Sequence, residues 1–308
     1  MDKLRGLVIS NCQAAPLAQV LSFFCRDVEF VAFPVHLTHP GNREARVTAM
    51  MADAGVGADV VLSVPLAADY GAIAADRLAD TFAGRALFRL HNLYFAGFHP
   101  DLTYIGGMGA RVLGPMGDYH SLIVACAVAA GLGADDTLGF FRADVYRAMG
   151  FLEVYPASLA EFRRREAGVD VPFADEMEAL LPVAPLFLTV NHPTGLGFGA
   201  YARAIAARLE AAGVTRVVDW PLDPAVLPNA LATNSIFPIY PEIAAAHGAA
   251  FAGSTIFRPP INPGAVSHFT QAEFVAADHA VLAALGPERL ATSPQVKGPL
   301  ERFRALLG

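Results

Sequence analysis

Lysine and cysteine are both scarce in this chain of 308 residues, and each scarcity argues against a class of site. With only two lysines, arginine supplies almost all of the basic charge, so a bound phosphate or carboxylate would be held by guanidinium groups and backbone N–H groups. The three cysteines, Cys12, Cys25 and Cys126, form no CxxC pair. Their number and spacing argue against a disulfide framework and against a structural zinc site.

Long apolar runs and an excess of basic charge are also missing. The longest apolar run, residues 122–134, is shorter than the roughly 20 residues of a membrane-spanning helix. Polar residues such as Asn11 and Gln13 interrupt the amino-terminal apolar stretch, and no clean cleavage site follows, so we expect a cytoplasmic protein. With 22 basic and 29 acidic residues, the net charge of −7 argues against a nucleic-acid partner.

Several common signatures are absent as well: GxSxG, GxGxxG, the P-loop lysine motif and HExxH. His36 and His39 are too isolated in the sequence to indicate a metal site, so no metal is expected. Apolar residues make up 54% of the chain and charged residues 17%, which excludes a disordered protein and allows a large core.

The first third of the chain alternates strands and helices. We predict short buried strands at 6–10, 28–33, 58–63 and 86–90. This alternation is typical of right-handed crossovers and a parallel sheet, hence an α/β fold. Beyond an irregular segment at 91–117, we predict a helix-rich remainder with one buried strand at 186–190. A soft boundary near residue 110 divides a parallel-sheet part, 1–110, from a helix-rich part, 111–308, unless the two form one continuous domain.

The most informative motif is Ser10-Asn11-Cys12-Gln13, which follows the first strand and opens the first helix. Ligands of open parallel sheets bind beyond the carboxyl ends of the strands. A cysteine there lies at the positive end of the helix dipole, which favours the thiolate and a lowered pKa. The neighbouring amides could hold an oxyanion or a phosphate. The alternative is a small buried cysteine between two capping amides.

Three further segments each contain a histidine that is a candidate base. His99 lies near Asp101, and His192 lies in an Asn-His-Pro turn. His120 follows Asp118, a candidate helix cap, by two residues. For each of them the alternative is a histidine with a structural role. We expect Asp118 to cap a helix over 118–132, which would place His120 in its first turn. The candidate binding residues in these segments are Tyr94, Ser121 and Asn191.

Together these motifs resemble the WcbI family of polysaccharide-biosynthesis enzymes. The resemblance runs from about residue 5 to about residue 210, and the Asn-Cys-Gln turn and the segment 94–101 are its most specific parts. Tyr-His-Ser at 119–121 and Asn-His-Pro-Thr at 191–194 add to it. This chain departs from the family by having Ser10 in place of the usual glycine and His91 in place of the usual proline.

The resemblance implies a helix-rich protein with an amino-terminal α/β part similar to the SGNH esterases, in which a nucleophile also follows the first strand. It further implies a coenzyme A-dependent O-acetyltransferase acting on a capsular sugar, with acetyl-coenzyme A as donor substrate. Cys12 is then the candidate nucleophile, and His99, His120 and His192 are the candidate bases. Ser10, Asn11, Gln13, Tyr94, Ser121 and Asn191 are the expected binding or oxyanion residues. The chain contains no Asp-x-x-His, so no SGNH-type triad is assigned.

Two mechanisms and three other functions stay open. Cys12 could carry the acyl group covalently, or it could shape the pocket while a histidine activates the sugar hydroxyl for direct transfer. The other functions are a thiol-based esterase or deacetylase, a sulfotransferase, and a non-catalytic subunit of a glycan-assembly complex. The sequence does not predict the acceptor sugar or the oligomeric state.

Overall fold

The computed structural model describes residues 3–107, 109–219, 226–262, 264 and 266–308, and it shows an α/β fold. The chain divides into two units, each assembled from three stretches. The first unit comprises Met1–Leu93, Phe162–Ala179 and Pro193–Leu231. The second comprises Tyr94–Glu161, Leu180–His192 and Ala232–Gly308. The predicted boundary near residue 110 stays a prediction.

The four predicted strands of the first unit are confirmed as one parallel sheet. They are β1 (Leu4–Ser10), β2 (Val28–Pro34), β3 (Val60–Ser63) and β4 (Ala86–Arg89), in the order β2-β1-β3-β4. The central strands β1 and β3 are almost continuously apolar and buried, as strands covered on both faces are. Gly6 in β1 allows close approach of its neighbour, because a Cβ at this position would lie 2.5 Å from the Phe30 ring.

The helices of both units follow in chain order. They are α1 (Ala14–Phe24), α2 (Arg43–Met50), α3 (Leu78–Thr81), α4 (Leu122–Ala129), α5 (Ala134–Leu138), α6 (Ala143–Ala148), α7 (Val154–Glu166), α8 (Ala174–Leu180), α9 (Gly195–Ala211), α10 (Pro241–Ala246), α11 (Gln271–Leu285), α12 (Pro287–Ala291) and α13 (Pro294–Arg304). Short 3₁₀ segments occur at Val35–Leu37, Ala68–Ile73 and Ala230–Thr233, and a π-helical turn at Met51–Gly55 extends α2.

Helices cover the sheet of the first unit and bury its apolar side chains. On one face, Leu7 and Ile9 of β1 pack with Val47 and Met50 of α2 in a continuous apolar cluster. Helix α1 contacts β1, β2 and α9. The sheet therefore positions the loops at its carboxyl edge on a rigid base, which is where functional loops gain their precision.

The second unit is built around α4. All of its residues from Ile123 to Ala129 are buried, and α11, α12 and α13 pack against it. A helix that is apolar on every side is stable only inside a protein, so this sequence dictates a central position. Directly before α4, strand β6 (Tyr119–Ser121) pairs antiparallel with β5 (Leu102–Tyr104).

In the second unit, one predicted helix begins later than expected and one predicted strand is wrong. The predicted helix over 118–132 begins only at α4, because the backbone of the preceding three residues is used in the ladder with β5. The predicted strand at 186–190 does not form. The Leu188 N–H donates to the His192 carbonyl at 2.7 Å, which turns the chain back on itself, and only an isolated bridge remains in this stretch.

Candidate functional site

The turn Asn11-Cys12-Gln13 joins the end of β1 to the start of α1, where the sequence predicted it. Asn11 Oδ1 accepts a hydrogen bond from the Gln13 N–H at 3.0 Å, and the Asn11 carbonyl accepts one from the Ala14 N–H at 3.1 Å. A side-chain oxygen bound to the backbone two residues later forms an Asx turn, which is the local reason for asparagine here. The turn therefore holds Cys12 at the carboxyl edge of the parallel sheet, the usual place for ligands in such sheets.

Cys12 is half-buried, whereas Cys25 and Cys126 are buried. Burial raises the pKa of the Cys12 thiol to about 11, and a hydrogen bond from its own backbone N–H offsets only part of this effect. The predicted lowering of this pKa by the helix dipole is therefore wrong, because loss of hydration around the sulfur outweighs the dipole. Cys12 is a neutral thiol near pH 7, so any reaction through it needs a base.

The amide of Gln13 has a structural role. Gln13 Nε2 donates to the Leu93 carbonyl at 2.6 Å, and the Leu93 N–H donates to Gln13 Oε1 at 3.1 Å. Asn11 Nδ2 likewise donates to Asn92 Oδ1 at 2.8 Å. These bonds tie the turn to the residues that follow β4, as expected for loops at one sheet edge. The prediction that Gln13 donates to an oxyanion is corrected, since its buried amide already binds a backbone group at each end.

His36 lies next to this turn, a placement that the sequence did not predict. Strands β1 and β2 are parallel with Ser10 opposite Pro34, so the residues that follow the two strands leave the sheet side by side. His36 makes a hydrogen bond with the backbone of Asn11. The residue is exposed, but partial burial lowers its pKa; the hydrogen bond with Asn11 acts in the opposite direction, and the charge of Arg46 lowers the pKa further. The strand register is the signal that could have found this histidine.

The predicted site residues are divided between the two units. Ser10, Asn11, Cys12 and Gln13 belong to the first unit, and Ser10 is buried at the end of β1. The second unit contains Tyr94, His99, His120, Ser121, Asn191 and His192.

His120 is a fully buried residue of β6 with both ring nitrogens engaged. Nδ1 lies 2.7 Å from Asp278 Oδ1, and Nε2 lies 3.0 Å from the Val112 carbonyl oxygen. Burial acts to lower the pKa of His120, but the hydrogen bond and charge of Asp278, together with the Val112 carbonyl, outweigh it and raise the pKa. Both nitrogens face acceptors, an arrangement that favours the imidazolium form, which donates twice. In this state it has no lone pair for a base, which argues against its predicted role.

Ser121 caps α4, the role predicted for Asp118. Its Oγ accepts a hydrogen bond from the Val124 N–H at 3.1 Å, and its own N–H donates to Asp278 Oδ2 at 3.0 Å. A serine at the N-cap satisfies one of the free N–H groups at the start of a helix. Asp278 thus holds both His120 and the helix start, although it lies far along the chain in α11, where no sequence motif marked it.

His99 is also buried. Its Nε2 contacts the Phe237 carbonyl oxygen at 3.1 Å, and burial lowers its pKa to about 4, so the ring is neutral near pH 7. The nearby Asp101 carboxylate accepts hydrogen bonds from the Ile123 N–H at 2.9 Å and the Tyr240 hydroxyl at 2.8 Å. Burial nevertheless raises the pKa of Asp101 to about 6. The predicted base His99 and its neighbour Asp101 therefore both lie in the interior of the second unit.

His192 and Asn191 come together around a hydroxyl group that the sequence did not single out. The Tyr119 hydroxyl donates to Asn191 Oδ1 at 3.1 Å and lies 3.5 Å from His192 Nε2. The Thr189 hydroxyl donates to the Tyr119 hydroxyl oxygen at 3.4 Å. Of the three predicted bases, His192 is thus the one whose ring contacts a hydroxyl. Tyr94, also predicted, is 41% exposed.

Within the described residues, no group of three or more potential metal ligands comes together. Among the helices in the described part of the chain, none has both the length and the apolar character needed to cross a membrane.

A sequence profile of the family described as polysaccharide biosynthesis enzyme WcbI matches residues 5–214. A solved structure is similar over 98% of this chain and 99% of that one, with a TM-score of 0.70 and 20% identity. It is described as WcbI, a polysaccharide biosynthesis enzyme, in its native form without a disulfide bond between coenzyme A and one of its cysteines. No curated protein matches this chain. The profile covers most of the sequence, and the chain therefore belongs to the WcbI family of polysaccharide biosynthesis enzymes.

Proposed function

We propose that this protein is a coenzyme A-dependent O-acyltransferase that transfers an acyl group, in the simplest case acetyl, to a sugar hydroxyl in polysaccharide biosynthesis. The observation that carries the proposal is the position of Cys12, a half-buried thiol at the carboxyl edge of the sheet in a chain whose other cysteines are buried. The solved WcbI structure is described by reference to a disulfide bond between coenzyme A and a cysteine, which supports a thiol-to-coenzyme contact here.

The chemistry divides into two exchanges. The Cys12 thiolate attacks the thioester carbonyl of the donor, the bond to the coenzyme sulfur breaks, and the acyl group stays on Cys12. Because one thioester replaces another, this step is close to balanced in free energy. A sugar hydroxyl then attacks the acyl group and releases the thiol. The Cys12 N–H, which already contacts its own sulfur, is the candidate oxyanion donor in place of the Gln13 amide.

The base that deprotonates the sugar hydroxyl stays a prediction. The hydrogen bonds of the three candidate histidines differ. His120 uses both nitrogens internally, and His99 is buried against the Phe237 carbonyl. Within the second unit, His192 lies beside the Tyr119 hydroxyl, and its role as this base stays a prediction.

The proposal is tested by following the acyl group. The protein is incubated with acetyl-coenzyme A labelled in the acetyl group, and the masses of the intact chain and of the Cys12 peptide are recorded. We expect one acetyl group on Cys12 and none in Cys12→Ala, with turnover in the presence of an acceptor lowered by more than ~10³-fold. The matched control is Cys25→Ala, at a buried cysteine of the same unit, which should still be labelled.

Binding is measured separately by thermal unfolding. Coenzyme A at 100 times its dissociation constant should add about 2.7 kcal/mol to the free energy of unfolding, and ATP much less. No shift with coenzyme A, together with hydrolysis of a simple acetyl ester, would instead indicate a thiol esterase. An equal shift with adenosine 3′,5′-bisphosphate would show that the nucleotide supplies the affinity and would keep a sulfotransferase as the alternative. Unchanged turnover in Cys12→Ala would show direct transfer.

A further inference from the structure

The first unit contains three histidines, and one of them contacts the turn that carries Cys12. His36 makes a hydrogen bond with the backbone of Asn11, the residue directly before the cysteine. The neighbouring His39 accepts a hydrogen bond from the Gly41 N–H through Nδ1 and is exposed. His91 is 2% exposed and stacks on a phenylalanine, with its ring directed to Glu166 at 3.6 Å. His36 is therefore the imidazole of this unit that is both accessible and tied to the cysteine turn.

The register of the sheet fixes this proximity. Ser10 is opposite Pro34 at the ends of two parallel, hydrogen-bonded strands, and neighbouring strands lie about 4.8 Å apart. Cys12 follows Ser10 by two residues, and His36 follows Pro34 by two residues, so each lies the same distance along the chain beyond the end of its strand. The short 3₁₀ turn Val35–Leu37 and the Asx turn at Asn11 keep both extensions at the sheet edge.

The hydrogen bond between His36 and the Asn11 backbone also determines the tautomer of the His36 ring. A histidine that donates one N–H to a backbone carbonyl has its tautomer fixed and presents the lone pair of its other nitrogen. The hydrogen bond with Asn11 raises the pKa of His36, but partial burial and the charge of Arg46 on α2 outweigh it and keep the pKa below its ordinary value, so the ring is neutral near pH 7. A neutral ring with a fixed tautomer is the form that a general base needs.

Cys12 in turn requires such a base. A thiol with a pKa of about 11 is ionised to roughly one part in 10⁴ at pH 7, so the thiolate is rare without assistance. A general base that removes the proton as the sulfur attacks typically contributes 10²–10⁴-fold to the rate.

We propose that His36 is the general base for Cys12, a role that rests on the proposed acyl transfer through this cysteine. The free nitrogen of His36 takes the proton from the Cys12 thiol as the sulfur bonds to the thioester carbonyl carbon. The bond between that carbon and the donor sulfur breaks, and the departing thiolate takes the proton back from His36. The products are acyl-Cys12, a free donor thiol and neutral His36.

The test measures acylation of Cys12 by mass spectrometry, without a sugar acceptor. The donors are acetyl-coenzyme A and, separately, S-acetyl-N-acetylcysteamine, a small thioester without the nucleotide. His36→Gln retains an N–H donor for the Asn11 carbonyl but has no basic nitrogen. We expect it to be acylated ~10²–10⁴-fold more slowly by both donors at pH 7. His39→Gln, at the exposed histidine three residues along, should react as the unaltered protein does.

Two further readouts separate a base from a structural residue. The acylation rate of the unaltered protein should be nearly constant above the lowered pKa of His36 and fall below it, since the protonated ring cannot accept a proton. His36→Gln should lack this plateau and change about tenfold per pH unit throughout, because it reacts only through the rare Cys12 thiolate. Added imidazole should restore part of the rate to His36→Ala. The melting temperature and the coenzyme A shift should be unchanged in both variants.

The outcomes are distinguishable. If His36→Gln is acylated as fast as the unaltered protein, His36 is not the base and acyl transfer through Cys12 stands. If the unaltered protein acquires no acyl group from either donor, the covalent route and the role of His36 are both overturned. A slow His36→Gln variant that keeps the plateau near pH 7 would also overturn the role.

Discussion

Replacement of Asp278 by asparagine tests whether His120 is a buried cation. Both side chains are fully buried, and the carboxylate accepts from His120 Nδ1 at 2.7 Å and from the Ser121 N–H at 3.0 Å. His120 Nε2 faces the Val112 carbonyl oxygen at 3.0 Å. Asparagine keeps the shape and one acceptor oxygen, but it removes the negative charge that stabilises the imidazolium in the interior.

The expected loss follows from these contacts. A hydrogen bond to a charged group contributes about 1.5–3 kcal/mol to stability. Since Asp278→Asn can keep the bond from Ser121 and His120 can lose its proton, we expect a loss of about 1.5–3 kcal/mol at pH 6. Asp278→Ala leaves two buried donors without an acceptor, so we expect about 3–5 kcal/mol, the usual cost of removing one member of a buried pair.

The loss of folding stability in Asp278→Asn should become smaller as the pH rises. The pKa of His120 is raised in the folded protein above its unfolded value of about 6.5. The stability that comes from protonation of His120 is therefore fully present below about pH 6.5 and is lost as the pH rises through the folded pKa. The difference between the unaltered protein and Asp278→Asn should accordingly be largest near pH 6 and shrink at higher pH.

Urea unfolding followed by circular dichroism at pH 6, 7.5 and 9 measures this difference. Asp135→Asn, at an exposed carboxylate of α5 in the same unit, is the matched control and should change the free energy of unfolding by no more than about 0.5 kcal/mol. A loss in Asp278→Asn of equal size at all three pH values would mean that His120 is neutral in the folded protein, and the reasoning above would be refuted.

Two further substitutions test the environment of Cys12 and the sheet that holds it. Gln13→Ala leaves the buried N–H and carbonyl of Leu93 without their partners, and thermal unfolding should show a loss of about 2–4 kcal/mol; slower acylation with unchanged stability would instead indicate an oxyanion role. Gly6→Ala places a Cβ 2.5 Å from the Phe30 ring and should cost about 1–3 kcal/mol. Gly298→Ala, at a helical glycine with open space around it, is the control for Gly6→Ala and should leave the stability unchanged or raise it by up to about 1 kcal/mol.

Local patterns in the sequence were sufficient for the parallel sheet and for the turn that carries Cys12. Short apolar runs separated by helical segments predicted all four strands. The signal is clearest for the central strands β1 and β3, which are buried on both faces and are therefore apolar almost throughout. The asparagine of the turn forms the expected local bond to the backbone two residues later. The same local patterns failed at 186–190, where an apolar run folds back through a hydrogen bond between Leu188 and His192.

The roles of individual side chains were decided by partners distant in the chain. The sequence by itself determined that a cysteine would stand at the carboxyl edge of a parallel sheet, since periodicity and turn chemistry act over a few residues. Only the tertiary structure placed His36 beside that turn, through the register of β1 and β2. It also gave both ring nitrogens of His120 a partner, and one of these partners, Asp278, is 158 residues away in the sequence. Burial likewise raised the pKa of Cys12 against the helix dipole. The hydration of a side chain and its hydrogen-bond partners depend on which residues the fold brings together, and a short stretch of sequence therefore does not predict them.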